Sequence, residues 1–190
     1  DKENKLLGGA GNVINNLRVL GAKVDVISVM GDCETSIELK GLLNDIEVDT
    51  KYLVTQKNRM TSKKSRIIAA QQQVVRYDRE STDEISVKSQ DLILDSFMKI
   101  VANYEAVLLS DYGKGVLTNK LTQSLINIAN EHGKKVLIDP KGPDFSKYKG
   151  AYLLPPNTKE ASQATNINIK DDESLSRAIV QLKSECDLNV

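Results

Sequence analysis

The strongest constraint on this chain is a set of short apolar runs that each empty directly into a polar loop. They are Val24 to Val29, Tyr52-Leu53-Val54, Ala106 to Leu109, Lys135 to Ile138 and Tyr152-Leu153-Leu154. Their nearly continuous apolar character predicts strands buried on both faces, as in a parallel sheet. Between them lie segments whose apolar residues recur at helical spacing: 11–20, 37–43, 90–102, 119–131 and 172–183. Gly21 and Gly133 supply helix stops. Strand–helix alternation of this kind predicts an α/β fold with a mostly parallel sheet flanked by helices. One stretch breaks the pattern. Across Thr61 to Asp78, two β-rich runs flank three glutamines, which predicts an antiparallel hairpin inserted into the α/β frame, a plausible lid.

Charge narrows the partners. The 26 basic and 26 acidic residues cancel, so no bulk positive field is available to hold nucleic acid or an anionic membrane. The apolar runs are strand-sized, well below the roughly 20 residues of a membrane-spanning helix. Two cysteines, Cys33 and Cys186, and the lone His132 match no metal-ligand spacing, so a zinc site is not expected. Incidental thiols in a reducing, cytoplasmic setting are the expectation. The start, Asp1 to Lys5, shows neither an initiator Met nor a signal peptide, and residues 186–190 read as a strand just beginning. Both ends read as interruptions of a longer chain.

Ligands of open parallel sheets bind at the carboxyl ends of strands. Three polar loops occupy that position: Ser110 to Gly115, Asp139 to Gly142 and Pro155 to Glu160. Glycines permit close backbone approach, a carboxylate accepts hydroxyls, and Lys is a point charge suited to phosphate. A fourth loop, Gly8-Gly9-Ala10-Gly11-Asn12, opens a helix whose free N–H groups can hold a polyol or anion. It lacks the third glycine of a dinucleotide fingerprint and the Gly-Lys-Ser/Thr of a Walker loop. Each residue also has a plainer reading. Arg76 can decorate an exposed hairpin, Lys114 and Lys141 can be solvated, Asp111 can be a turn former, and Glu160 can be a first-turn carboxylate.

Gly8 to Val13, with Gly21 and Gly31-Asp32 downstream, resembles the first signature of the ribokinase-like (phosphofructokinase-B-type) carbohydrate kinases. Asn157-Thr158-Lys159-Glu160 is similar to their Asn-x-x-Glu motif. Leu109 to Gly115, Leu137 to Phe145 and Tyr148 to Ala151 resemble the heptose-7-phosphate kinase branch, and the similarity runs through almost the whole chain. The resemblance implies a ribokinase-like α/β fold with a small β-lid. It implies transfer of the ATP γ-phosphoryl, with Mg²⁺, to the anomeric hydroxyl of D-glycero-D-manno-heptose 7-phosphate, giving the 1,7-bisphosphate on the way to ADP-heptose and lipopolysaccharide core. Gly8, Gly9 and Asn12 would contact the sugar, and Asp111 would accept a hydroxyl. Lys114, Lys141 and Arg76 would hold the 7-phosphate. Asn157, Thr158, Lys159 and Glu160 would serve the nucleotide phosphates and the water shell of Mg²⁺, with no direct metal ligand. Dimerisation through the lid sheet is common in the wider family, so a homodimer is possible.

Two family segments have no counterpart here: the first strand with its sugar-binding Asp, and the Gly-Ala-Gly-Asp segment with the anion hole and catalytic base. Residues 1–190 therefore read as a partial kinase domain without its catalytic portion, inactive alone. The alternatives are a kinase for another sugar or sugar phosphate and a non-catalytic sugar- or nucleotide-binding module. A NAD-dependent oxidoreductase is least favoured, for want of the third glycine and the ribose-binding acid.

Overall fold

Strand–helix alternation appears directly in the computed structural model, which describes residues 3–188 and Val190. The elements in chain order are α1 (Ala10–Val19), β1 (Ser28–Met30), α2 (Glu34–Asn44), β2 (Leu53–Thr55), β3 (Lys63–Ala69) and β4 (Gln72–Arg79). They continue with α3 (Val87–Ile100), β5 (Ala106–Ser110), α4 (Asn119–Glu131), β6 (Lys135–Asp139), α5 (Thr158–Thr165) and α6 (Asp172–Cys186). Two compact units divide the chain, one formed by Asp1–Ile93 with Lys114–Val116, the other by Leu94–Gly113 with Leu117–Val190.

In the first unit β1 and β2 pair in parallel, Ser28 opposite Leu53 and Met30 opposite Thr55. Strand β1 is shorter than the run from Val24 predicts, because a strand needs a ladder partner and β2 offers only three residues. Met30, Leu43, Val48 and Ile85 are buried in this unit. The predicted hairpin is present as β3 and β4, antiparallel, with Lys64 opposite Asp78 and Arg66 opposite Arg76. Its turn falls at Ala70-Gln71, one step before the centre of the glutamine run, with φ of 48° and 65°. Two successive positive φ values make the type I′ geometry that matches strand twist. Side chains alternate across the hairpin. One face carries Lys64, Arg66, Arg76 and Asp78; the other carries Ser65, Ile67, Val75 and Tyr77.

In the second unit β5 and β6 pair in parallel from Ala106 opposite Lys135 to Ser110 opposite Asp139. Helix α4 packs on β6 through Leu121, Leu125, Ile126 and Ala129, which share one stripe of the helix and are all buried. Thr118 caps its start, accepting from Leu121 N at 3.2 Å, and Gly133 ends it at φ 67°. The strand expected over Tyr152 to Leu154 contracts to one parallel bridge, Leu153 to Leu137. The strand expected over residues 186–190 takes in Asn189, which lies outside the described residues. Cys186 instead ends α6, while Val190 N donates to Tyr152 O at 2.8 Å and Val190 O accepts from Leu154 N at 3.3 Å.

Candidate functional site

The register of β5 and β6 sets Ser110 and Asp139 side by side where both strands end. Asp111 N donates to Asp139 O at 2.9 Å, and Ser110 Oγ donates to Asp139 Oδ2 at 3.3 Å. The two loops that follow are therefore joined at their roots. Asp111 is bonded within the chain. Its side chain is only 4% exposed, and both oxygens are engaged. Oδ1 accepts from Gly113 N at 2.7 Å, while Oδ2 accepts from Lys147 Nζ at 2.5 Å and from Tyr148 Oη at 2.8 Å. Through these bonds Asp111 holds its loop. Lys141 behaves differently. It is exposed and forms no ion pair among the described residues, and a Cβ built on Gly113 would lie 3.4 Å from its Cγ.

Asn157 and Glu160 form a reciprocal cap on α5. Asn157 Oδ1 accepts from Glu160 N at 3.0 Å, and Glu160 Oε2 accepts from Asn157 N at 3.0 Å. Thr158 and Lys159 fill the exposed first turn beside them. The plainer reading of Glu160 is thus part of the truth: it secures the helix start that the motif presents.

In the first unit, Gly9 is the cap residue of α1, with φ 52° and no side-chain hydrogen bond at the helix start. Gly8, Gly9 and Asn12 lie together there, Asn12 N donating to Gly9 O at 3.0 Å. Arg76 and Lys114, expected as independent phosphate cations, belong to one chain of ion pairs. Arg76 makes two bonds to Asp78, at 3.0 and 2.8 Å. Asp78 also pairs with Lys64, Lys64 with Glu80, and Glu80 with Lys114 Nζ at 2.5 Å. The guanidinium of Arg76 and the ammonium of Lys64 hold the Asp78 carboxyl well below the usual range, and Lys114 lowers Glu80. Three cations against two carboxylates leave this chain net positive. Arg66, directly opposite Arg76, adds to that and has no ion-pair partner among the described residues.

Two further features were not singled out from sequence. The buried Arg59 guanidinium donates to Asp83 O at 3.0 Å and Lys114 O at 2.5 Å, pinning the Lys114 segment by main-chain contacts. Cys33 precedes α2 beside an open cavity of about 330 Å³ lined by Met30, Gly31, Ser36, Lys40 and Thr55 among others, and by none of the predicted site residues. Its hydrogen bond with Ser36 holds the thiol pKa down to about 7. Arg59 has no short motif to announce it, while the cavity beside Cys33 takes in Gly31 and Asp32 of the first signature.

Comparison with known proteins gives a consistent picture. Residues 2–190 match the model of the pfkB family of carbohydrate kinases. The chain is 59% identical over 189 residues to the bifunctional protein HldE of Aliarcobacter butzleri, covering all of this chain and 40% of that protein. It is 54% identical to the protein of the same name from Sulfurimonas denitrificans, again covering 40% of it. This chain thus spans about two fifths of the length of these curated relatives. Among solved structures, the tetrameric inhibited form of phosphofructokinase-2 from Escherichia coli superposes with a TM-score of 0.70 at 18% identity, over 98% of this chain and 64% of that one. Arabidopsis thaliana ribokinase complexed with ribose and ATP gives 0.68 at 17% identity, over 94% and 57%. At these identities the likeness is one of fold: ribokinase-like.

Proposed function

Since the chain belongs to the pfkB family of carbohydrate kinases, we propose that it carries sugar and outer nucleotide contacts of a kinase acting on D-glycero-D-manno-heptose 7-phosphate. The reaction would move the ATP γ-phosphoryl to the anomeric hydroxyl, giving the 1,7-bisphosphate in ADP-heptose synthesis. One observation carries the reading: the two segments that resemble the heptose branch, at Asp111 and Asp139, are tied root to root at the carboxyl ends of paired parallel strands.

Phosphoryl transfer demands a positioned hydroxyl and cations around the moving charge, with little covalent work by protein. Gly8, Gly9 and Asn12 would orient the sugar hydroxyls at the uncapped start of α1. Lys114, Lys141 and Arg76 would supply the cations for the 7-phosphate. Asn157 to Glu160 would face the nucleotide phosphates. No group of three or more His, Cys, Asp or Glu able to hold a metal occurs among the described residues. Mg²⁺ would be carried in on ATP and reached by Asn157 and Glu160 through its water shell, since Mg²⁺ in kinases is held largely by substrate phosphates. When bound, the ion would neutralise charge on the transferring phosphate. The β3–β4 hairpin would act as a lid. Its face with Ile67, Val75 and Tyr77, each at least 47% exposed, would pack against a second copy in a homodimer. No helix among the described residues is long and apolar enough to cross a membrane; the proposed reaction would take place in the cytoplasm.

The test is ADP release by the full-length protein across a panel of heptose 7-phosphate, fructose 6-phosphate, ribose and fructose. Heptose 7-phosphate should exceed the others in kcat/KM by at least about a hundredfold, below the roughly 10⁴-fold that a site built to hydrogen-bond its substrate can reach. Equal or better turnover of another sugar overturns the branch assignment.

A further inference from the structure

Tyr148 opens one of the segments that resemble the heptose branch and Lys147 stands just before it, and the two meet the Asp111 and Lys141 loops at one point. Tyr148 is fully buried and stands in the 3-10 turn Ser146–Tyr148. Its hydroxyl owns one proton and two lone pairs. The proton goes to Asp111 Oδ2 at 2.8 Å, and a lone pair accepts Lys141 N–H at 3.1 Å. Burial pushes the phenol pKa far above the ordinary tyrosine range, so the proton stays in place. Lys147 Nζ donates to the same Asp111 oxygen, and its ammonium lies 5.0 Å from the Tyr148 ring centre. One neutral hydroxyl therefore couples a carboxylate in the first loop to a peptide N–H in the second, on the residue whose side chain is exposed and without an ion-pair partner among the described residues.

We propose that Tyr148 is a positioning residue: acting through Asp111 and the main chain of Lys141, it fixes the two strand-end loops so that Lys141 meets the sugar phosphate. This rests on the kinase reading above, in which Lys141 holds the 7-phosphate. Lys147 Nζ and Gly113 N both donate to the Asp111 anchor. The effect of losing the hydroxyl should fall on sugar-phosphate affinity, not on the chemical step or on ATP.

Tyr148→Phe in the full-length protein keeps the buried ring and removes only the relay atom. KM for heptose 7-phosphate should rise roughly tenfold, the scale of one lost hydrogen bond, with kcat and the KM for ATP changed less than about twofold. Because Tyr148 acts through Lys141, Tyr148→Phe added to Lys141→Ala should raise KM no further than Lys141→Ala alone. Additive effects, or an equal fall in kcat with KM unmoved, overturn the proposal. Exchange of the Lys141 amide provides a readout independent of turnover. It should quicken roughly tenfold in Tyr148→Phe while the Gly113 amide keeps its protection. If the unaltered protein does not phosphorylate the heptose, the kinase reading fails; unchanged Lys141 amide exchange overturns the positioning role itself.

Discussion

Gly115 is a position where a single methyl group should do heavy damage. The residue has φ of +71°, and a Cβ built there would lie 2.0 Å from Asp83 O, 2.4 Å from Asp83 C and 2.8 Å from Glu84 N. All three are main-chain atoms, and the segment cannot swing clear: Ile85 N donates to Gly115 O at 2.9 Å, and Arg59 binds both Asp83 O and Lys114 O. Gly115→Ala incurs about 1–2 kcal/mol for a left-handed L residue. Relieving the overlap by shifting backbone adds about 1–3 kcal/mol. The total is about 2–5 kcal/mol. Gly21→Ala isolates the first cost in the same compact unit, since Gly21 has φ of +87° with nothing within 4 Å. Urea unfolding of the full-length variants, followed by circular dichroism, reads the difference. Hydrogen exchange over residues 83–85 should quicken in Gly115→Ala alone. Equal destabilisation by the two substitutions would refute the close approach of Gly115 to Asp83.

Asn157→Ala should cost about 1 kcal/mol of stability by uncapping α5, seen as a lower urea midpoint, and should raise the KM for ATP if the motif serves the nucleotide. Thr122 Oγ1 is buried without a hydrogen-bond partner among the described residues, so Thr122→Val, which keeps the shape, should raise stability by about 1 kcal/mol in the same unfolding assay. Cys33 titrates near pH 7 and is exposed, whereas burial pushes Cys186 up to about 11. The thiolate is the reactive form, so iodoacetamide labelling of Cys33, followed by mass spectrometry, should climb through a midpoint near pH 7 while Cys186 stays unlabelled. Ser36→Ala should move that midpoint upward.

Legibility in the sequence followed the range of the forces involved. Helix α4 matches its expected span because its apolar stripe, its Thr118 cap and its Gly133 stop are all local. Strands β5 and β6 and the hairpin were equally visible from runs and turns. Strand β1 came out shorter because its length depends on a distant partner. Asp111 looked like a hydroxyl acceptor from its glycine-rich surroundings, and Lys147 and Tyr148 reach it from 36 and 37 positions away. Lys114 and Glu80 meet across 34 positions, and Arg59 reaches the Lys114 carbonyl across 55. No local pattern encodes such contacts. They arise only when loops from separate elements pack.

The phosphorylated position on the sugar tests the central claim most directly. Full-length protein, ATP and heptose 7-phosphate should yield a product whose new phosphorus resonance couples to the anomeric proton in a ³¹P–¹H correlation spectrum, with ADP formed in equal amount. A new phosphate coupled to any other ring position, or no new phosphate on this sugar while another sugar is phosphorylated, would contradict the account.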